Sequence, residues 1–135
     1  MAESIEQFRI YKSSRAAEDH VYELVKKFPA NQFYGLGNDL RRSSAAVSHH
    51  LMSAHRVFSY HLKLVELENM RREAELTQMY LESARSLGAT DNLIDEYIGV
   101  MKQSWGLTKW LKQQIYTKQV NAEIAAKDEL AAALG

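Results

Sequence analysis

Histidine is the first residue type here that could do chemistry. His49, His50, His55 and His61 crowd one stretch, while His20 stands apart. A helix holds a metal through donors three or four residues apart, as in Glu-x-x-His or His-x-x-x-His, because that spacing places both on one face. The clustered histidines are separated by one, five and six residues, and Glu-x-x-His occurs nowhere. No metal and no cofactor is therefore expected. Ser43, Ser44, Ser48 and Ser53 lie near the histidines in sequence. Without a nucleophile elbow or a placed acidic partner they are not a catalytic set, so no catalytic residue is expected and the chain reads as non-enzymatic.

Cations are the second group. Arg41 and Arg42 are adjacent, and Arg56 and Lys63 follow. Together they could contact phosphates along a basic strip. The competing reading is a solvated face paired with acids such as Asp39 and Glu66. Seventeen Lys and Arg balance seventeen Asp and Glu, and a chain without excess positive charge lacks the counterion-release drive of general nucleic-acid binding. The balance favours the solvated face. Aromatic residues are the third group. Phe8, Tyr11 and Tyr22 fall beside the apolar stripe of the first helical segment, and Trp110 falls beside those of the last. Such residues could stack on bases, but subunit contact suits them better, since aromatics are enriched in interface cores. With Leu107 and Leu111 they form the expected interface set.

The elements that must position these groups are helices. One proline and six glycines punctuate the 135 residues, and long runs of helix formers lie between them. Alternation of period two is absent, so no strand is expected. The first helix is expected over 5–28, with Ser4 and Gln7 as a capping box and Pro29 as its stop. Ile10, Ser14, Ala17, Val21, Leu24 and Phe28 share its inner face. The second is expected over 32–54, lined by Leu36, Leu40, Ser43, Val47 and Leu51. The third is expected over 58–87, lined by Tyr60, Leu64, Leu67, Ala74 and Leu81, with Gly88 as a left-handed stop. The boundary near His55 to Phe58 carries no glycine or proline, which leaves a kinked continuous helix open. The fourth is expected over 91–116, with two adjacent apolar stripes. Ile94, Ile98, Met101 and Trp105 form one; Leu93, Tyr97, Val100, Leu107 and Leu111 form the other. Leu40, Val47, Leu64, Leu67, Ile98 and Trp105 are expected in the core.

Short connections make consecutive helices antiparallel neighbours. The expected fold is all-α: an antiparallel up-down-up-down four-helix bundle over 1–116, with a helical or flexible C-terminal tail over 117–135. The absence of cysteine fits a reducing compartment, and neither a signal peptide nor a membrane span is read from the sequence. A cytoplasmic location is the expectation.

The run Phe28-Pro29, then Tyr34-Gly35-Leu36, then Leu40-Arg41-Arg42, resembles the four-helix bundle family named for proteins encoded in 23S rRNA intervening sequences. Val21-Tyr22-Glu23-Leu24 and Leu87-Gly88 also look like that family, and Tyr11 falls where its members often carry tryptophan. After Arg42 the chain departs from it. Ala46-Val47-Ser48 and His50-Leu51-Met52-Ser53-Ala54 replace the family's Ser-Ile-Pro and Asn-Ile-Ala-Glu-Gly, so no role of those polar residues carries over. The resemblance implies a bundle without enzymatic activity that assembles into a ring, typically a pentamer. A more distant likeness is to the accessory variability determinant protein of diversity-generating retroelements, which implies nucleic-acid binding as an accessory to a reverse transcriptase. Surplus apolar surface on the fourth helix points independently to a homo-oligomer, unless the tail folds back to cover it.

Overall fold

The computed structural model describes residues 2–135, with side chains from Arg9 onward. Its elements are α1 (Ala2–Val25), a single turn α2 (Ala30–Phe33), α3 (Leu36–Arg56), α4 (Tyr60–Ser83), a 3-10 turn (Arg85–Leu87) and α5 (Asp91–Leu134). No strand occurs among the described residues. The long helices α1, α3, α4 and α5 form the expected all-α bundle, with α1 on α3, α3 on α4, α4 on α5 and α5 closing on α1.

Cross-helix contacts fix the directions. Ser14 meets Ser48 while Val25 approaches Gly37, so α1 and α3 are antiparallel. His50 pairs with Glu66 and Ser43 with Thr77 across α3 and α4. Arg71 meets Thr108 across α4 and α5, and His20 pairs with Glu96 across α1 and α5.

Most of the inner-stripe residues read from the sequence on α1, α3 and α4 form the core. Ile10, Ala17, Val21, Leu40, Val47, Leu51, Leu67, Ala74 and Leu81 are essentially inaccessible. Hydroxyls share this interior. Ser14 and Ser48 hydrogen-bond at 3.1 Å, and Thr77 donates to Ser43 at 2.8 Å. Small residues let the helices approach closely, and each buried hydroxyl must then find a partner or carry a desolvation cost. Thr90 and Tyr97 are exceptions, and the Thr90 hydroxyl is enclosed without a partner. Tyr97 is the larger of the two. Its hydroxyl is enclosed without a sound hydrogen bond, although Ser44 is near enough to influence its ionisation, and burial pushes its pKa up.

Several boundaries differ from expectation. The first helix starts at Ala2; the Ser4 and Gln7 capping box lies outside the described side chains. The α-helix stops at Val25 rather than Phe28, because Pro29 forces the chain to tighten early. Lys27 donates to Leu24 and Phe28 to Val25 in short i to i+3 bonds. Gly35, with φ −97° and ψ −94°, splits the second segment into α2 and α3. The α3–α4 boundary is a clean break at Val57–Ser59, where Ser59 Oγ accepts from the Leu62 amide at 3.3 Å and caps α4. Gly88 is fully extended, not left-handed, and its bare Cα lets Leu24 pack over the turn.

The larger correction concerns α5. Leu93, Tyr97, Val100, Leu107 and Leu111 face the core, whereas Ile98 and Trp105 stand 38% and 54% exposed. Leu64 is only half-buried. The tail neither folds back nor separates: α5 continues through it to Leu134. At 1.5 Å per residue its 44 residues span about 66 Å, against about 36 Å for the 24 of α4.

Candidate functional site

The four cations that could have formed a basic strip are scattered. Arg41 lies 4.3 Å over the Phe33 ring and donates to Asn38. Arg42 pairs with Glu73 at 3.4 Å. Arg56 sits fifteen residues along α3 from Arg41, about 22 Å by the helical rise. It lines a cavity of about 300 Å³ with the fully exposed Phe58 and with Lys118.

Lys63 borders the same cavity, but its charge is turned inward. It is 6% exposed, and its Nζ donates to the Ala54 carbonyl at 2.8 Å and the His55 carbonyl at 3.4 Å. These are terminal carbonyls of α3, which lack partners within the helix, and a cation there also suits the negative end of the helix dipole. Lys63→Met keeps the stem and removes the cap. It is expected to lower unfolding free energy by about 1–3 kcal/mol, read as a lower urea midpoint at unchanged slope. An unaltered midpoint would return Lys63 to a merely tolerated position.

The expected interface set is likewise divided. Leu107 and Leu111 are 4% and 0% exposed and belong to the bundle's own core, so they are unavailable to a second copy. Trp110 is half-buried, edge-on to Tyr60 with centroids 6.2 Å apart. Tyr11 is half-buried, and Tyr22 is exposed with its hydroxyl donating to the buried Glu18 at 3.0 Å. The Phe8 side chain lies outside the described residues.

The histidines do not converge. His20 and His50 bond to Glu96 and Glu66 at 2.8 and 2.9 Å, and no metal-holding group of three His, Asp or Glu occurs among the described residues. No described helix is long and apolar enough to cross a membrane.

What the fold does gather is a groove between α4 and α5. Arg71 is 8% exposed, with its guanidinium 3.9 Å from the centroid of the Trp105 ring. Its Nη1 donates to Thr108 Oγ1 at 2.9 Å and to Ser104 Oγ at 3.4 Å. No carboxylate forms an ion pair with it among the described residues; burial lowers its pKa, and the charges of Glu68 and Glu75 partly offset that. An arginine stays charged at neutral pH in such a setting. Trp105 and Lys112 line this groove of about 430 Å³ and also a second concavity of about 830 Å³ that runs on along α5 to Tyr116.

Sequence reasoning missed this groove because it assigned Trp105 to the core. The available signal was the series Trp105, Lys109, Lys112 and Tyr116, at spacings of four, three and four, which mixes aromatic and basic residues on one helical face. No family model, curated protein or solved structure matches the chain.

Proposed function

We propose that the protein is a non-enzymatic, homo-oligomeric four-helix bundle that serves as a scaffold or partner-binding module. The observation that carries this reading is the overhang of α5. Lys118, with its Nζ 4.4 Å from the Tyr60 ring, is level with the first residue of α4. Every residue from Asn121 to Gly135 is exposed. Ile124, Leu130 and Leu134 stand 51%, 60% and 80% open to solvent. A helical stretch of this length gains little from its own hydrogen bonds in water and is ordinarily held by packing of its apolar side. A second copy supplies that packing without further sequence.

The exposed Ile98 farther up α5, and Leu62, Val65 and Met79 on α4, add apolar surface outside the core. The resemblance to the intervening-sequence family adds the expectation of a ring of five. The more distant likeness, to a nucleic-acid-binding accessory of a reverse transcriptase, loses support with Lys63 buried and Arg42 paired.

Light scattering on the full chain and on a chain ending at Thr117 tests the reading. The full chain is expected to show a multiple of the 15.5 kDa protomer mass. The shortened chain is expected to fall to a smaller species while keeping its cooperative melt, since every removed residue except the half-buried Val120 is exposed. A full chain that stays monomeric at millimolar concentration overturns it.

A further inference from the structure

We propose that the α4–α5 groove is a binding site for a ligand that joins a phosphate to a planar ring, the chemistry of a nucleoside monophosphate. The starting point is Arg71, a buried guanidinium that forms no ion pair among the described residues and feels Glu68 and Glu75 only at longer range. Taking a guanidinium out of water is costly, and buried cations are ordinarily paired with a carboxylate. Arg71 has only two hydroxyls and an aromatic face, and both hydroxyl bonds use Nη1. Its Nη2 and Nε bond to no protein group among the described residues, while the side chain lines the groove. An arginine with Nε and Nη2 free presents one two-donor edge, a fork that matches two phosphate oxygens. Thr108 and Trp105 fix that fork in place, so little conformational freedom is lost on binding.

The surroundings supply the rest of the ligand. Arg71 covers part of Trp105, yet the indole remains 54% exposed. Its open surface offers a stacking platform for a planar ring. Lys112 lines both concavities, Lys109 lies one turn after Trp105, and Tyr116 closes the series. The acids must be weighed against these cations. Glu68 and Glu75 also line the groove, but Glu68 is paired with Arg72 at 3.3 Å. Across the two concavities Arg71, Lys109 and Lys112 then stand against Glu75 alone, a local excess of positive charge on a chain of zero formal net charge. Volumes of about 430 and 830 Å³ lie in the range of small-ligand sites. The site is independent of the assembly reading, since it lies on the packed part of α5 and not on the overhang.

The same chemistry comes from a free nucleotide or from a single strand, and the test separates them. The protein has two tryptophans, so Trp110→Phe in the full chain leaves Trp105 as the only indole reporter. Adenosine monophosphate, ribose 5-phosphate, inorganic phosphate and a ten-nucleotide oligoadenylate are titrated at low salt, with calorimetry alongside. Saturable quenching by adenosine monophosphate is expected, with ribose 5-phosphate and phosphate weaker by about tenfold or more, the size of one lost stacking contact. Lys112→Gln and Trp105→Leu, both at exposed positions, should each weaken calorimetric binding by about tenfold. Arg71→Gln should abolish it, and the two surface variants carry the test if that chain fails to fold. Oligoadenylate binding far tighter than the mononucleotide, with the same variant losses, supports the site and assigns its source to a single strand; equal affinity assigns it to the free nucleotide. No saturable binding of either, unchanged affinity in Trp105→Leu, or phosphate binding as tightly as the nucleotide overturns the proposal.

Discussion

Leu67→Ala should lower the unfolding free energy by about 2–5 kcal/mol, the range for emptying a fully enclosed leucine site. Leu67 is 0% exposed on the inner face of α4, where Met70 and Ala74 are equally enclosed on the same helix. Removal of the side chain takes away its transfer free energy and leaves a cavity. The enclosed residues of a close-packed core relax only partly into such a gap. Leu64 serves as the internal comparison. The sequence places it on the same stripe, but the structure leaves it half-buried beside the α4–α5 groove. Leu64→Ala should therefore cost visibly less, about 1–2 kcal/mol, because solvent or a neighbour fills the space. Urea denaturation of both variants at constant slope checks the pair. Equal losses would mean that the groove is closed in solution, and a negligible loss at Leu67 would contradict the placement of the core.

The inner faces of α1, α3 and α4 were legible in the sequence because one stripe dominates each helix. Ile10, Ala17, Val21, Leu40, Val47 and Leu67 sit inside as the three-and-four spacing requires. On α5 two apolar stripes compete, and periodicity cannot rank them. The choice is made by α1 and α4, which accept Tyr97 and Val100 and leave Ile98 and Trp105 outside. A sequence shows that a face is apolar; only the facing helices decide which face is used.

The charged residues were less legible still. Lys63 reads as a surface cation until the α3 terminus is brought against it, and then its value lies in the carbonyls of Ala54 and His55. Arg71 reads as part of a charged outer face until Trp105 and Thr108 arrive from α5. Both depend on partners distant in sequence. Helix existence was thus readable from local pattern, whereas the groove was readable only as an unexplained aromatic and basic series.

Substituting alanine for glycine at three helical positions should give changes of opposite sign. Within a helix, alanine is favoured over glycine by about 1 kcal/mol through reduced backbone entropy. At Gly106 and Gly99 on α5, an added Cβ meets nothing within 4 Å. Each substitution there should gain about 0.5–1 kcal/mol and raise the melting temperature. At Gly37, near the start of α3, the same carbon would stand 2.9 Å from Val25 Cγ1 and 3.3 Å from the Gln32 carbonyl oxygen. Val25 is 1% exposed, and a β-branched side chain has little rotamer freedom with which to retreat. Phe28, at 3.7 Å, blocks a compensating shift of the helix. Overpacking of this kind costs about 1–3 kcal/mol, more than the propensity gain, which is itself reduced in a first turn. Gly37→Ala should therefore destabilise by about 1–2 kcal/mol net. Thermal melts of Gly37→Ala and Gly106→Ala, measured side by side, give the sign directly. A stabilised Gly37→Ala would show that α1 and α3 are not held as closely at that end as the Val25 to Gly37 approach requires.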